Sequence, residues 1–209
     1  YYKILNKFKL SDTFIEKYRE TEPNWGPLGE FVYLRTYSRQ VLNENRNEKW
    51  WETVKRVVEG SFSVQKNYVH SLRLPWSNNK AQKSAQIMYE KMFNFKFLPP
   101  GRGLWMMGTD FIEEKGSAAL NNCGFVSTDD IDIRGSQPWT WTMDALMMGV
   151  GVGFDTKGAG RITIKQPKQF SIKERIKHNS GENSMNEFYQ VPDSREGWVK
   201  LLKKTLKSY

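Results

Sequence analysis

The segment Leu120-Asn121-Asn122-Cys123-Gly124-Phe125-Val126 places two side-chain amides and the only cysteine of the chain in a short strand-forming run. The β-forming residues of this run are bounded by polar turn residues, which is typical of a short strand. We therefore predict a strand that carries Cys123, with Asn121 and Asn122 beside it, and we interpret the rest of the chain around this strand.

A helix is predicted next, from Pro138 to Met148. Proline suits the first helical position, with Ser136 or Gln137 as the cap. Apolar residues recur along the segment with the period of a helix. Further apolar residues cover its other side, so we expect this helix to be buried all round. The apolar residues are Trp139, Trp141, Met143, Ala145, Leu146, Met147 and Met148.

Three alternate glycines follow in the run Gly149-Val150-Gly151-Val152-Gly153-Phe154-Asp155. Backbone without side chains allows a phosphate or a ribose to approach closely. The run is not the dinucleotide-binding fingerprint, because Phe154 stands where that pattern requires its third glycine and a helix comes before it. On composition alone, a tight turn from helix to strand is the favoured explanation.

The composition indicates a folded protein. The 209 residues are 38% hydrophobic and include eight tryptophans, which is too apolar for a disordered chain. No apolar run approaches the roughly 18 residues of a membrane span, and the start lacks both methionine and a signal-peptide pattern. We expect no membrane association, and the start is what a processed chain or a fragment would show.

The net charge and the cysteine content indicate which classes of partner and which cellular compartment to expect. The net charge of +9 favours polyanions such as nucleotides or RNA, although a solvated basic surface explains it equally well. A single cysteine excludes an internal disulfide and fits a reducing compartment. Neither His70 nor His178 has metal ligands at the usual spacing, so no metal site is predicted.

Four helices outside the Cys123 region are predicted from apolar periodicity and end signals. The first begins after Ser11 or Thr13 and ends by Pro23. The others are 47–59, with Gly60 as its C-terminal cap, 79–94, and a last helix capped by Asp193 or Glu196. The last helix carries an apolar stripe that we expect to be unpaired, formed by Trp198, Leu202, Leu206 and Tyr209.

Two further segments are candidates for contacts with nucleotides. Tyr33–Arg39 mixes aromatic residues with Arg35 and Arg39, which suits base stacking or simply one exposed helix face. Pro99–Gly103 is predicted to be a rigid turn, where Arg102 either holds a phosphate or is an ordinary surface arginine.

The end of the chain is predicted to be mostly irregular before its last helix. Residues 161–165 alternate like a half-exposed strand, and the polar segment 166–190 is predicted to be a loop.

Several separated motifs resemble those of adenosylcobalamin-dependent (class II) ribonucleotide reductases, in particular the N-terminal third of the monomeric ribonucleoside-triphosphate reductases. Three of them are Leu120–Thr128 (LNNCGFVST), Pro99–Thr109 (PPGRGLWMMGT) and Gly149–Phe154 (GVGVGF). Further matches lie in Tyr33–Arg39, Trp51–Gly60 and Pro192–Val199. The resemblance covers about the whole chain in the order of the family, which makes it specific.

This resemblance implies the α/β fold class of the family. Within this chain alone, the helices and strands would be of the α+β class. Residues 1–98 would form a helical N-terminal region. Residues 99–209 would begin the ten-stranded α/β barrel of the family, with a polar loop insertion at about 157–190.

The resemblance also implies the site. Cys123 would be one cysteine of the pair that reduces the substrate, and Pro100, Asn122, Gly151 and Gly153 would contact the substrate. Some members have threonine where Pro99 stands, so only backbone contacts carry over at that turn. The partner cysteine and the other radical-handling residues would lie beyond this sequence, so we expect the chain alone to be inactive.

The implied cofactor is adenosylcobalamin, bound mainly by parts of the enzyme outside this chain. The implied partners are a ribonucleoside triphosphate substrate, a nucleotide effector, thioredoxin or a similar dithiol reductant, and the remainder of the reductase. The implied compartment is the cytoplasm. No direct contact with nucleic acid is expected. The alternative function is a non-catalytic basic module that binds nucleotide or RNA, based on the charge and on Tyr33–Arg39.

Overall fold

The computed structural model describes residues 7–166 and 189–209. The chain forms two compact units, Tyr1–Asn122 and Cys123–Tyr209. Helices and two small sheets make up the described residues, which agrees with the predicted α+β character within this chain. No helix in these two ranges is long and apolar enough to cross a membrane.

The first unit is mainly helical. Its short strands β1 (Gln40–Val41) and β2 (Arg46–Asn47) pair antiparallel around a 3₁₀ turn at Leu42–Glu44, and a second 3₁₀ turn lies at Ser117–Leu120. Its helices are α1 (Asp12–Arg19), α2 (Gly29–Thr36), α3 (Trp50–Ser71), α4 (Asn78–Phe93), α5 (Gly101–Met106) and α6 (Asp110–Lys115).

The core of this unit lies between α3 and α4. Val54, Val57 and Val58 of α3 are at most 1% exposed, and Ala85 and Tyr89 of α4 are fully buried. The spacing of these residues along each helix is the apolar stripe that predicted both helices, and α4 has the predicted bounds within one residue.

The prediction that α3 ends at Gly60 is wrong. The helix continues to Ser71, and Gly60 is a buried residue in its middle and not at its end. A Cβ atom at Gly60 would lie 2.5 Å from the Cα of Gly108, a turn residue with φ of +77°. Gly60 is therefore required for a close approach between α3 and this turn.

A buried ion pair joins α3 to the segments around it. The Arg56 guanidinium donates to the Glu48 carboxylate at 2.7 and 2.9 Å, and both side chains are less than 15% exposed. Arg56 also donates to the carbonyl oxygens of Leu104 and Met107, at 3.0 and 2.6 Å. This pair holds the C-terminal end of α5 against α3.

Two predictions about local structure in this unit need correction. Pro99–Gly103 is not a rigid turn, because Pro100 is the N-cap of α5 and the helix starts at Gly101. Arg35 and Arg39 do not share a helix face, because α2 ends at Thr36 and Arg39 leads into β1.

The second unit contains a strand–helix–strand arrangement. Strands β3 (Cys123–Val126) and β4 (Gly151–Phe154) pair in parallel. Among the described residues of this unit, the helices are α7 (Ile131–Arg134), α8 (Gln137–Met147) and α9 (Arg195–Leu206). The strand predicted at Leu120 begins at Cys123, and α8 matches its predicted bounds within one residue.

Helix α8 is not buried all round. Trp139, Trp141 and Leu146 are 40–54% exposed, whereas Thr140 and Ala145 are buried. Its partner is α9, whose Leu202 and Leu206 line the same apolar groove as Trp139. The stripe of the last helix is therefore not unpaired, contrary to the prediction, and Arg195 adds an ion pair to Asp144 at 3.4 Å.

The predicted strand at 161–165 is absent, because these residues form a bend and irregular backbone. The amide of Lys165 donates to the carbonyl oxygen of Tyr209 at 2.7 Å, which is an isolated contact and not a ladder. Most of the predicted loop at 166–190 lies outside the described residues.

Candidate active site around Cys123

The register of β3 and β4 determines which residues accompany the thiol. Cys123 is paired with Gly151, and Phe125 is paired with Gly153. Alternate residues of a strand point to the same side of the sheet, so these four residues share one face. Cys123 is an exposed free cysteine, and Phe125 is 64% exposed.

Helix α8 covers the other face of the two strands. A Cβ atom at Gly124 would lie 2.8 Å from Cη2 of Trp141, so a larger residue would require the Trp141 ring to move away from the strand. Gly124 and Val152 are accordingly half-buried. Within this unit, the helix closes one side of the strand pair and leaves the side of the thiol accessible.

The three alternate glycines have different roles. Gly149 has φ of +79° and follows the C-terminal end of α8. The turn from helix to strand is therefore sufficient reason for a glycine at this position. Gly151 and Gly153 are extended residues of β4 and lie beside the thiol-bearing strand. Neither residue places a side chain on the face that carries Cys123.

The carboxyl ends of the two strands are joined by Asp155, which sequence reasoning missed. Its carboxylate accepts hydrogen bonds from the hydroxyl of Ser127 at 2.7 Å and from the amide and hydroxyl of Thr128 at 2.9 and 2.8 Å. The amide of Lys157 adds a longer bond of 3.3 Å. These donors, first the Thr128 amide and then the Ser127 hydroxyl, hold the pKa of Asp155 well below its usual value.

The turn after β4 also contacts the residues that follow β3. The amide of Gly158 donates to the Thr128 hydroxyl at 2.9 Å, and Arg161 forms an ion pair with Asp129 at 2.7 Å. The sequence signal for this network is the hydroxyl pair directly after β3 together with the aspartate directly after β4. Their pairing is visible only when the two strand ends are known to be neighbours.

The predicted site residues lie in both units. Cys123, Gly151 and Gly153 come together on β3 and β4. Pro100 caps α5 in the first unit, where a Cβ atom at Gly101 would lie 3.1 Å from the hydroxyl oxygen of Tyr37. Asn122 is exposed and directly precedes Cys123 in the chain. Contact of any of these residues with substrate stays a prediction.

No group of three or more His, Cys, Asp or Glu side chains that could hold a metal ion occurs in residues 7–166 and 189–209. The described part of the chain therefore presents an exposed thiol and no such group of metal-binding side chains.

Comparison with known proteins identifies relatives of the whole chain. The family model for the ribonucleotide reductase alpha domain matches residues 10–109. A probable adenosylcobalamin-dependent ribonucleoside-triphosphate reductase of Dictyostelium discoideum is 50% identical over 98% of this chain and 28% of its own length. The adenosylcobalamin-dependent ribonucleoside-triphosphate reductase of Euglena gracilis is 42% identical, over 97% of this chain and 26% of its own length.

A bacterial relative and a solved structure agree with these matches. The adenosylcobalamin-dependent ribonucleoside-triphosphate reductase of Lactobacillus leichmannii is 31% identical over 92% of this chain. A crystal structure of a B12-dependent (class II) ribonucleotide reductase superposes with a TM-score of 0.72 and 29% identity, covering 97% of this chain and 32% of that one.

The chain thus spans less than a third of the length of these relatives. The matches confirm the resemblance predicted from the separated motifs, and they do not favour the alternative of a non-catalytic basic module. The chain belongs to the family of adenosylcobalamin-dependent (class II) ribonucleotide reductases.

Proposed function

We propose that this chain contributes Cys123 as one of the two thiols that reduce a ribonucleoside triphosphate to its 2′-deoxy form. The observation that carries the proposal is the position of this residue. Cys123 is exposed at the start of β3, and its partner in β4 is a glycine. A substrate sugar can therefore reach the sulfur without displacing a side chain on the neighbouring strand.

The reduction balances with two thiols. The 2′-hydroxyl leaves as water, a hydrogen takes its place on C2′, and the two thiols give up two electrons and two hydrogens as they form a disulfide. This chain holds one cysteine, so the second sulfur must come from outside these 209 residues. Adenosylcobalamin, on which the relatives depend, supplies radical chemistry when bound.

Within this chain, the residues fit a supporting role toward that cofactor. The side of the β3–β4 pair that carries Cys123 is not covered by α8. The family resemblance implies that adenosylcobalamin is bound mainly by other parts of the enzyme. Cys123 presents the thiol, and Asp155 holds the two strands together at their other end.

The finer assignments follow from family membership. Gly151 and Gly153 would lie beneath the sugar, Asn122 would donate to it, and Pro100 would present backbone groups to the phosphates. The two parallel strands would be the first of a ten-stranded barrel. A nucleotide effector, thioredoxin or a similar dithiol, and the remainder of the reductase would be its partners, in the reducing environment of the cytoplasm.

The test is deoxynucleotide formation in a reconstituted reaction with adenosylcobalamin and a dithiol. Three samples are compared: this chain, a second chain that covers the part of the relatives it does not match, and their mixture. We expect product only from the mixture. Replacing Cys123 by serine should abolish multiple turnover there, since serine cannot form the disulfide.

Circular dichroism of the Cys123→Ser chain provides the control, because an exposed cysteine can be exchanged for serine without loss of folding. Product from this chain alone, or undiminished turnover by the serine variant in the mixture, would refute the proposed role of Cys123.

A further inference from the structure

An apolar cavity opens on the first unit between α2, the start of α3 and the segment that follows α4. Its volume is about 540 Å³, which lies in the range of sites that receive a ligand or a side chain of a partner. None of the described residues that line it carries a charged side chain. The aromatic lining residues are Trp25, Tyr33, Tyr37, Trp50 and Phe95.

The aromatic walls of this cavity are fixed by contacts with one another. The Trp25 ring stacks on Tyr33 with the ring centres 5.3 Å apart, and the Trp50 ring stacks on Phe95 at 5.2 Å. The indole nitrogen of Trp50 and the hydroxyl of Tyr33 donate to main-chain carbonyl oxygens at 3.1 and 2.8 Å. Their polar groups are therefore already satisfied, and the rings present apolar surface to the cavity.

Phe95 forms one wall from a strained backbone. Its φ is +56°, directly after the C-cap of α4, where glycine or asparagine is the usual residue. The contacts of its ring offset this strain, because the ring centre lies 5.2 Å from those of both Trp25 and Trp50. Such a conformation persists only where the surroundings determine it, so the cavity is a preformed one.

The rim of the cavity is apolar and exposed to solvent. Leu28 is 70% exposed, Val32 is 39% exposed and Leu98 is 45% exposed. Phe31, three positions after Leu28, is 61% exposed. Apolar surface collected around a cavity marks a place of interaction. A small molecule inside the cavity would leave this rim in water, so the rim favours a polypeptide as the occupant.

We propose that this rim and cavity, which we call the α2 docking surface, bind an apolar segment of the polypeptide that completes the reductase. One apolar side chain of that segment enters the cavity between the aromatic rings. The chain spans less than a third of the length of its relatives, so most of the polypeptide that is available to cover this surface lies outside these 209 residues. The uncharged lining excludes a phosphate or a charged side chain as the occupant. The proposal rests on the proposed function only in that a further polypeptide completes the enzyme.

The first test measures binding of this chain to the second chain of the reconstituted reaction, by calorimetry. Leu28→Glu and Val32→Glu should each weaken this binding by at least about tenfold, because a carboxylate would lose its water without gaining a partner. Circular dichroism checks that each variant folds, as expected for substitutions at exposed positions.

Ile87→Glu is the matched control. Ile87 lies on α4, is 59% exposed and does not line the cavity. Its substitution should change binding of the second chain by less than about twofold. Binding that is equal for the unchanged chain, Leu28→Glu and Val32→Glu would overturn the proposal, as would an equal loss in the rim variants and in Ile87→Glu, or absence of binding between the two chains.

A second test shows whether the cavity is filled on assembly. Nile red is an uncharged dye whose fluorescence rises in apolar surroundings. With this chain alone, we expect a signal that Val32→Glu lowers and Ile87→Glu keeps. A saturating amount of the second chain should remove the part of the signal that depends on Val32. An unchanged signal in the mixture would mean that the cavity stays open, which contradicts the proposal.

Sedimentation of this chain alone tests a second copy as the occupant. We expect a monomer at the concentrations used for binding. A dimer that Leu28→Glu and Val32→Glu dissociate would show that the α2 docking surface joins copies of this chain, and the proposal would then be wrong.

Cys123→Ser separates this proposal from the proposed function. The serine variant should bind the second chain like the unchanged chain, because Cys123 does not belong to the α2 docking surface. If the serine variant keeps full turnover while Val32→Glu loses binding, the role of Cys123 fails and the docking surface stands. If turnover depends on Cys123 while Leu28→Glu and Val32→Glu bind normally, the docking surface fails alone.

Discussion

Cys123 and Gly151 lie directly opposite each other in the parallel ladder of β3 and β4. Gly151 is not one of the glycines with positive φ, so its backbone conformation is open to any L-amino acid. Backbone geometry therefore gives no reason for a glycine at this position. A role in leaving space beside the sulfur is therefore the hypothesis to test.

The first prediction is that Gly151→Val weakens substrate binding more than folding. Valine favours strands, so we expect the free energy of unfolding to change by less than about 0.5 kcal/mol. Its two methyl groups would occupy the space beside Cys123, so nucleotide affinity in the reconstituted reductase should fall. Thermal melts and nucleotide titration measure the two effects separately.

Gly149→Val is the matched control, since Gly149 has φ of +79°. Valine is strained there, and stability should fall by about 1 kcal/mol or more. If Gly151→Val instead lowers stability as much as Gly149→Val and leaves nucleotide affinity unchanged, Gly151 is a structural residue only.

The second prediction concerns the reactivity of Cys123. Because this cysteine is exposed, it should react with a disulfide reagent in the folded chain at a rate within about tenfold of the rate in urea. Absorbance of the released thiolate gives the rate, and mass spectrometry should show a single label, as the chain has one cysteine. Strong protection in the folded chain would mean that the thiol is buried in solution.

The third prediction is that Arg56→Met strongly destabilises the first unit. The substitution leaves the Glu48 carboxylate buried without its partner, which typically costs about 3–5 kcal/mol. Urea unfolding followed by circular dichroism measures the loss. Arg19→Met, which breaks an exposed ion pair with Glu16, should cost at most about 1 kcal/mol. A smaller loss for Arg56→Met than for Arg19→Met would contradict the importance of the buried pair.

The fourth prediction is a dependence of stability on pH that comes from Asp155. Its hydrogen bonds lower its pKa in the folded state, so the ionised form contributes stability above the ordinary aspartate pKa. That contribution should be lost progressively as the pH falls below about 4, toward the lowered folded value. Unfolding free energies measured from pH 7 down to pH 2 follow this loss.

The asparagine of Asp155→Asn does not titrate in this range, so the free energy of unfolding of this variant should change less between pH 7 and pH 2. Asp132→Asn, which removes an exposed aspartate of α7, should keep the dependence of the unchanged chain. If the unchanged chain and Asp155→Asn lose the same unfolding free energy between pH 7 and pH 2, the hydrogen bonds to the ionised Asp155 carboxylate do not stabilise the fold.

Local patterns predicted several elements well. The bounds of α4 and α8 agree within one residue, because the apolar period and the flanking residues that end a helix both lie within the segment itself. The same reasoning failed at Gly60, where a glycine looks like a cap. Local sequence contains no sign that another turn of the chain packs against that position.

The sequence by itself determined the family, the strand–helix–strand order around Cys123 and the candidates Gly151 and Gly153, because motifs, periodicity and residue type are properties of neighbouring residues. Only the tertiary structure decided that Cys123 faces Gly151, that Asp155 joins the strand ends, and that Arg39 and Arg102 meet at Trp105. Except for Arg102 and Trp105, which belong to the same helix, these contacts join residues that are 27 to 66 positions apart in sequence, and packing of side chains in three dimensions selects them.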